Sequence, residues 1–186
     1  MLLIPWVIPP ALSTLGWWWL FEPTYSAINW FLVKISLPAI PWLSETFWAR
    51  FSIILVNIWV GAPFFLIMYL AALKSIPADL YEAASIDGAN YKQKLYYITL
   101  PMMKNIISIT ILFSIIVTFA NFDIVRVLTR GGPIDTTHLF ATYAFRVGIE
   151  SGDIPLGAAV SLFMFPILGT LAFIILRSVR KRAMEV

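Results

Sequence analysis

Hydrophobic positions fall into four long blocks, Leu2 to Phe21, Phe51 to Leu73, Met102 to Phe122 and Leu156 to Leu176. Each is close to the roughly twenty apolar residues that a helix needs to cross about 30 Å of hydrocarbon. The pattern predicts an all-α fold, a polytopic transmembrane helical bundle of about four spans. Pro and Gly inside the blocks do not argue against spans, because neighbouring helices and local adjustments satisfy the backbone groups they free. Between the first two blocks, Ile28 to Leu43 is Trp-rich and interrupted by Pro; it is too short for a span and predicts an interfacial or re-entrant piece. The connection from Asp123 to Pro155 holds the turn Gly131-Gly132-Pro133 and then a mixed stretch, Leu139 to Ile149, with apolar positions at helical spacing. It reads as a loop followed by an amphipathic helix.

Composition agrees: 60% of residues are hydrophobic and 12% charged, and the mean hydropathy is +0.85, outside the range of soluble domains. With no Cys, neither disulfides nor thiolate metal sites are available, the single His, His138, cannot form a metal cluster by itself, and no cofactor is implied. The net charge of +3 is modest, and its basic residues are not interleaved with aromatics along one face as nucleic-acid binding would require. The eight Trp residues, Trp6, Trp17, Trp18, Trp19, Trp30, Trp42, Trp48 and Trp59, lie mostly near block ends, where an indole can rest at headgroup level. The first block lacks the basic start and small-residue cleavage site of a signal peptide, so it reads as a retained span.

Orientation follows from Lys and Arg. The connection after Leu73, with its flank, carries Lys74, Lys92, Lys94 and Lys104, and the tail after the last block carries Arg177, Arg180, Lys181 and Arg182. The other side has Lys34, Arg50, Arg126, Arg130 and Arg146 spread over two longer connections. The denser positive charge places the Lys74–Pro101 loop and the carboxyl terminus in the cytoplasm.

That loop is dense with helix signals. Asp79 after Pro77 suits an N-cap, and Glu82 three residues later suits a capping box. Asp87-Gly88 is a turn or C-cap pair in which Gly accepts positive φ. A second helical stretch, Asn90 to Ile98, sets Leu95 and Ile98 on one face before Pro101 opens the next span. The expected product is a helix-turn-helix along the cytoplasmic membrane face.

Glu82-Ala83-Ala84, three residues, Gly88, nine residues, Ile98, one residue and Leu100-Pro101 resembles the EAA signature of permeases of ATP-binding-cassette importers. Ser75-Ile76-Pro77, Asp87-Gly88-Ala89, Phe122-Asp123, Val127-Leu128-Thr129 and Gly131-Gly132-Pro133 are similar to the subfamily that takes up oligosaccharides and glycerol-3-phosphate-like compounds. The resemblance covers nearly the whole chain, 1–186, as a permease transmembrane domain with an EAA coupling loop at 79–101. It implies that this loop docks into a cleft of a separate ATPase subunit, with Glu82, Ala83, Ala84, Asp87, Gly88 and Ala89 as the docking surface and its turn. Small Ala side chains permit close approach, and Glu82 can pair with a basic group. The same residues would suit an ordinary capped interfacial helix; the full spacing is what separates the two. The resemblance further implies a second permease subunit, ATP-binding ATPase subunits and an extracytoplasmic sugar-binding protein as partners, and further spans upstream of Leu3 to Trp19, so that the chain corresponds to the carboxyl-terminal part of a permease.

The third block carries Thr110, Ser114, Thr118 and Asn121 on one helix face. Such a stripe either lines a substrate path or holds helices together by hydrogen bonds. Asn57 invites the same two readings, whereas Gly157 and Ser161 suit small-residue packing. No block contains Asp, Glu or His in its interior, groups that ion-coupled carriers use, and no phosphate-binding Gly-x4-Gly-Lys-Ser/Thr loop is present. An ATP-driven sugar-import permease therefore stands ahead of its alternative, an ion-coupled secondary carrier or channel subunit. Asp123, Asp135, His138, Glu150 and Asp153 have no nucleophile-base spacing and read as solvated loop charges, leaving no catalytic residue.

Overall fold

The computed structural model describes residues 3–183. Among them the elements are all helical: α1 Ile4–Val7, α2 Pro10–Phe21, α3 Ala27–Lys34, α4 Thr46–Lys74, α5 Ala78–Ile86, α6 Tyr91–Lys94, α7 Leu100–Phe119, α8 Asp123–Leu128, α9 Phe140–Phe145 and α10 Ile154–Ala183. Leu95–Thr99 and Arg146–Glu150 are π-helical turns that continue α6 into α7 and extend α9.

Three of the predicted blocks form helices long and apolar enough to cross a membrane, Thr46–Lys74, Tyr91–Phe119 and Ile154–Ile174. At 1.5 Å per residue the first two extend about 44 Å. Most of their apolar side chains face outward, toward whatever surrounds the chain. The first predicted span begins at Leu2, outside the described residues, and the rest of it is divided. Ile8 and Pro9 are extended, with ψ of 131° and 132°, because a residue that precedes proline is pushed out of the α region and both do so. The 12-residue α2 extends only about 18 Å, too short to cross alone.

The chain divides into two compact units. One contains the residues up to Pro63 together with Ile116–Leu168. Its core is Phe21, Trp42, Val56, Ile124 and Leu128, flanked by Trp17, Ile28, Leu32, Ile40 and Trp48; α2 packs on α8. Trp42 departs from the headgroup expectation. It is only 8% exposed, its ring lies 5.3 Å from that of Phe21, and its Nε1 donates to Asn29 Oδ1 at 2.9 Å, so burial leaves no polar atom unpaired. Trp6, Trp18, Trp19 and Trp30 do remain exposed. The predicted packing of Gly157 holds: a Cβ there would lie 2.5 Å from Gly148 Cα, so only hydrogen fits.

The other unit contains Phe64–Ile115 and the residues from Gly169 onward. Ala72, Ile76 and Met103 are its buried core, with Tyr69, Tyr81, Ile98, Ile106 and Ile107 packed against them. Ile76, Tyr81 and Ile98 belong to the polar loop and its flanks, so the loop is fastened to its span by apolar burial.

Candidate functional site

α5 starts two residues earlier than it would with Asp79 as its cap. Pro77 takes the cap position with φ −58° and ψ 133° and makes no side-chain bond. Asp79 therefore sits inside the first turn, where its carboxylate faces the positive end of the helix, and the expected Asp79–Glu82 capping box does not form. A capping box does form at the next helix, where Gln93 N donates to Asn90 Oδ1 at 3.0 Å and Asn90 N to Gln93 Oε1 at 2.8 Å.

Between them the chain turns as the sequence expects. Asp87 is the C-cap of α5, Gly88 has φ +75°, Ala89 N donates to Ala84 O at 2.8 Å and Gly88 N to Ser85 O at 3.1 Å. These two bonds satisfy terminal carbonyls in the Schellman pattern, which needs a left-handed residue after the cap. Glu82, Ala83, Asp87 and Gly88 are exposed, and Ile86 is 88% exposed. Ala84 and Ala89 are half-buried, lining with Gln93, Lys94, Tyr97 and Ile98 a cleft of about 290 Å³. The turn thus presents an acid, small residues and one bare isoleucine, on a backbone whose own bonds are satisfied.

Residues outside the recognised spacing tie this hairpin to the span. Tyr81 Oη lies 2.8 Å from Thr99 Oγ1, Ser85 Oγ donates to Tyr81 O at 2.7 Å, and Lys94 Nζ donates to Ser85 Oγ at 2.5 Å. Thr99 lies in the π-helical turn, where Leu100 N donates to Leu95 O. The wider turn lies just ahead of Pro101, which has no N–H to give an α-type bond. Only Asn90 and Gln93, at capping-box spacing, left a local signal; Tyr81 and Thr99 are eighteen positions apart and no periodicity links them.

The predicted stripe separates into two environments. Thr110 is fully buried; its Oγ1 bonds Tyr69 Oη at 3.1 Å and the carbonyls of Ile106 and Ile107. In the other unit Asn57 Nδ2 donates to Thr118 Oγ1 at 3.3 Å, and Asn121 Nδ2 to Asn57 Oδ1 at 3.3 Å. Asn121 Oδ1 also accepts from Ile124 N at 3.2 Å. Ser114 is half-buried.

The loop charges are not simply solvated. Arg126 pairs with Glu150 at 2.5 Å, Arg146 with Asp135, and Asp153 Oδ1 accepts from Leu156 N at 3.0 Å at the start of α10. His138, with its side chain 8% exposed, has Nδ1 3.1 Å from Thr142 Oγ1 and Nε2 3.3 Å from Arg146 Nη1. Burial holds its pKa below the usual 6.5; Asp135 and Glu150 pull it up, and Arg146 and Arg126 push it down. Spacing gave no warning of these pairings, since their partners meet only after the loop has folded back. Among the described residues no group of three His, Cys, Asp or Glu side chains could hold a metal.

The family model described as binding-protein-dependent transport system inner membrane component matches residues 1–185. The trehalose/maltose transport system permease protein MalF of Thermococcus litoralis is 34% identical over 182 residues, covering 98% of this chain and 61% of that protein. The sulfoquinovosyl glycerol transport system permease protein SmoG of Agrobacterium fabrum is 34% identical over 181 residues, covering 97% and 59%. The maltose/maltodextrin transport system permease protein MalF of Escherichia coli K12 is 33% identical over 193 residues, covering 98% and 38%. The chain thus spans less than two thirds of the length of these relatives. Among solved structures, a bacterial ABC transporter involved in the import of the acidic polysaccharide alginate is similar with a TM-score of 0.84 and 25% identity, covering 96% of this chain and 63% of that one. The bacterial alginate ABC transporter in complex with alginate pentasaccharide-bound periplasmic protein gives 0.83 and 26%, covering 96% and 62%. The all-helical architecture, the membrane-length helices and the match over residues 1–185 agree: the chain belongs to the binding-protein-dependent transport system inner membrane component family.

Proposed function

We propose that the chain is the permease part of an ATP-driven importer of sugars, forming half of a translocation path whose other half is a second permease subunit. Energy comes from separate ATPase subunits, and substrate is delivered by an extracytoplasmic sugar-binding protein. The named relatives and the alginate importers support the sugar class. The observation that carries the coupling role is the hairpin α5–Gly88–α6, with Glu82, Ala83 and Ile86 exposed on it and its base sewn to the span through Tyr81 and Thr99. An exposed, internally satisfied turn on a fastened base can accept a partner's push and pass it to the helix beneath. The Lys and Arg bias puts this loop, Lys74 to Pro101, and the residues from Arg177 on the cytoplasmic side of the cell membrane.

For the path we favour Asn57, Thr118 and Asn121. Their mutual bonds, at 3.3 Å, sit at the long edge of hydrogen-bond geometry, and amides and hydroxyls can trade them for sugar hydroxyls at small net cost. Thr110, saturated by Tyr69 and its own helix, fits helix packing better. Ser114 rests on helical spacing alone. The test is purification of the full-length protein from gently solubilised membranes: co-purification with an ATP-binding subunit is expected, and its consistent absence at full recovery of the permease would overturn the reading.

A further inference from the structure

α3 has no polar face. It reads Ala-Ile-Asn-Trp-Phe-Leu-Val-Lys, six apolar residues with Asn29 and Lys34, and a helix apolar on most sides suits an apolar surrounding. Its inner side is accounted for: Ile28 and Leu32 pack on the core, while Asn29 exchanges two 3.0 Å hydrogen bonds with the backbone of Ile40 and accepts one from Trp42. Ser26 Oγ caps the helix, accepting from Asn29 N, and donates to Leu20 O at 2.6 Å. The outer side is bare. Tyr25 is 79% exposed, Trp30 66%, Phe31 57% and Val33 60%. Lys34 Nζ lies 4.9 Å from the Trp30 ring centroid, and an open groove of about 840 Å³ runs along Tyr25, Asn29, Trp30, Val33 and Lys34. From Pro23 to Ser44, Lys34 is the one charged residue.

We propose that this face seats in the boundary of the bilayer and that Lys34 engages an anionic phospholipid headgroup in the groove beside Trp30. Three observations choose the bilayer over a protein. The membrane-length helix α4 of the same unit carries a bare apolar flank of its own, at Phe47, Phe51, Ile54 and Ile58. The polar edge of the segment is thin, with Thr24 and Ser36 exposed on it and Lys34 its single charge. Trp and Tyr beside a lone cation is the chemistry of the headgroup zone, where an indole lies at the interface and a lysine snorkels to phosphate. The lysine fixed over the Trp30 face by a cation–π contact is held where a phosphate entering the groove would meet it.

These 186 residues contain no Cys, so a single spin label at Val33→Cys reports this face, with Trp30→Cys as a second site should the first variant accumulate poorly. In phosphatidylcholine nanodiscs the label is expected to collide with dissolved oxygen and to be shielded from a water-soluble nickel chelate. Replacing part of the lipid with phosphatidylglycerol should immobilise it further, and Lys34→Gln should raise the anionic fraction needed for half the effect about fivefold, the factor one near-surface cation contributes. Free access of the nickel chelate would overturn the membrane seat. Shielding from both collision partners would overturn it in favour of a protein partner. Oxygen access with no response to phosphatidylglycerol, or the same response in Lys34→Gln, would overturn the headgroup assignment.

Discussion

Tyr81 and Thr99 face each other across the base of the exposed hairpin, with 2.8 Å between their hydroxyl oxygens. Tyr81 precedes Glu82 on α5, and Thr99 closes the π-helical turn that leads into α7. The bond is a direct link between the proposed docking helix and a membrane-length helix. Tyr81→Phe keeps the ring against Ile76 and Met103 and removes only the hydroxyl, while Thr99 retains its 3.3 Å bond to Lys94 O. A net loss of about 1 kcal/mol should leave the protein folded and docked. Uptake per hydrolysed ATP should fall, since the link loosens without the docking surface changing; an unchanged ratio of uptake to hydrolysis would show that force does not pass through this bond.

Gly88 tests the turn itself. No heavy atom lies within 4 Å of a Cβ built there, so a side chain has room and the cost arises from φ +75° alone. Gly88→Val should strain the turn by about 1 to 3 kcal/mol, swing Glu82 and Ala83 out of register and reduce ATPase recruitment while the protein still inserts. Gly88→Asn, whose side chain tolerates the left-handed region, should recruit nearly as well as the parent. Equal recruitment by all three, measured by co-purification, would remove the turn from the mechanism.

Thr118→Val and Asn121→Leu remove polar groups at nearly constant size. If Asn57, Thr118 and Asn121 meet the sugar, both variants should lower transport by tenfold or more, the scale of about 1.4 kcal/mol per lost bond, with assembly intact. Assembly failure with normal transport per assembled complex would make the cluster a packing device. Thr110→Val should do the reverse, since its hydroxyl is fully buried against Tyr69.

His138 predicts a pH response with a definite sign. Arg146 Nη1 can only donate, so its 3.3 Å contact favours an accepting Nε2 and a proton on Nδ1 facing Thr142 Oγ1, against the pull of Asp135 Oδ1 3.6 Å from Nε2. Burial lowers its pKa, so below pH 6.5 the unfolded loop binds more protons than the folded one. Loop stability should therefore be level above about pH 6.5 and fall as pH drops through the lowered value. As the chain's only histidine, it gives one ring signal in selectively labelled protein. That signal should report the Nδ1–H form and a pKa under 6.5, raised in Arg146→Gln; an Nε2–H tautomer would contradict the network.

The elements legible in the sequence were those whose signal is local. Asp87-Gly88 and the apolar runs behind α4, α7 and α10 announce themselves within a few residues, whereas the break that Pro9 and Pro10 impose went unread, because block length and the tolerance of spans for Pro hide it. What stayed hidden depends on distant partners. Trp42 looks like a headgroup anchor until Asn29, thirteen residues away, supplies its acceptor. Asp79 looks like a cap until the backbone of Pro77 starts the helix first. Thr110 and Thr118 share a stripe by spacing, yet Tyr69 and Asn57 give them different surroundings. Asp135 and Glu150 stay exposed as expected, but their partners Arg146 and Arg126 could not be read from spacing.

The central claim is that this family member moves sugar on energy delivered through the Gly88 hairpin by a separate ATPase. It is tested most directly in proteoliposomes holding the full-length permease, its partner permease and the ATPase subunits, with binding protein outside and ion gradients collapsed. Sugar uptake should require ATP inside the vesicle compartment that faces the hairpin, and Glu82→Lys together with Gly88→Val should abolish both uptake and substrate-stimulated hydrolysis. Uptake that persists without ATP and follows an imposed proton or sodium gradient, unaffected by either substitution, would contradict the account.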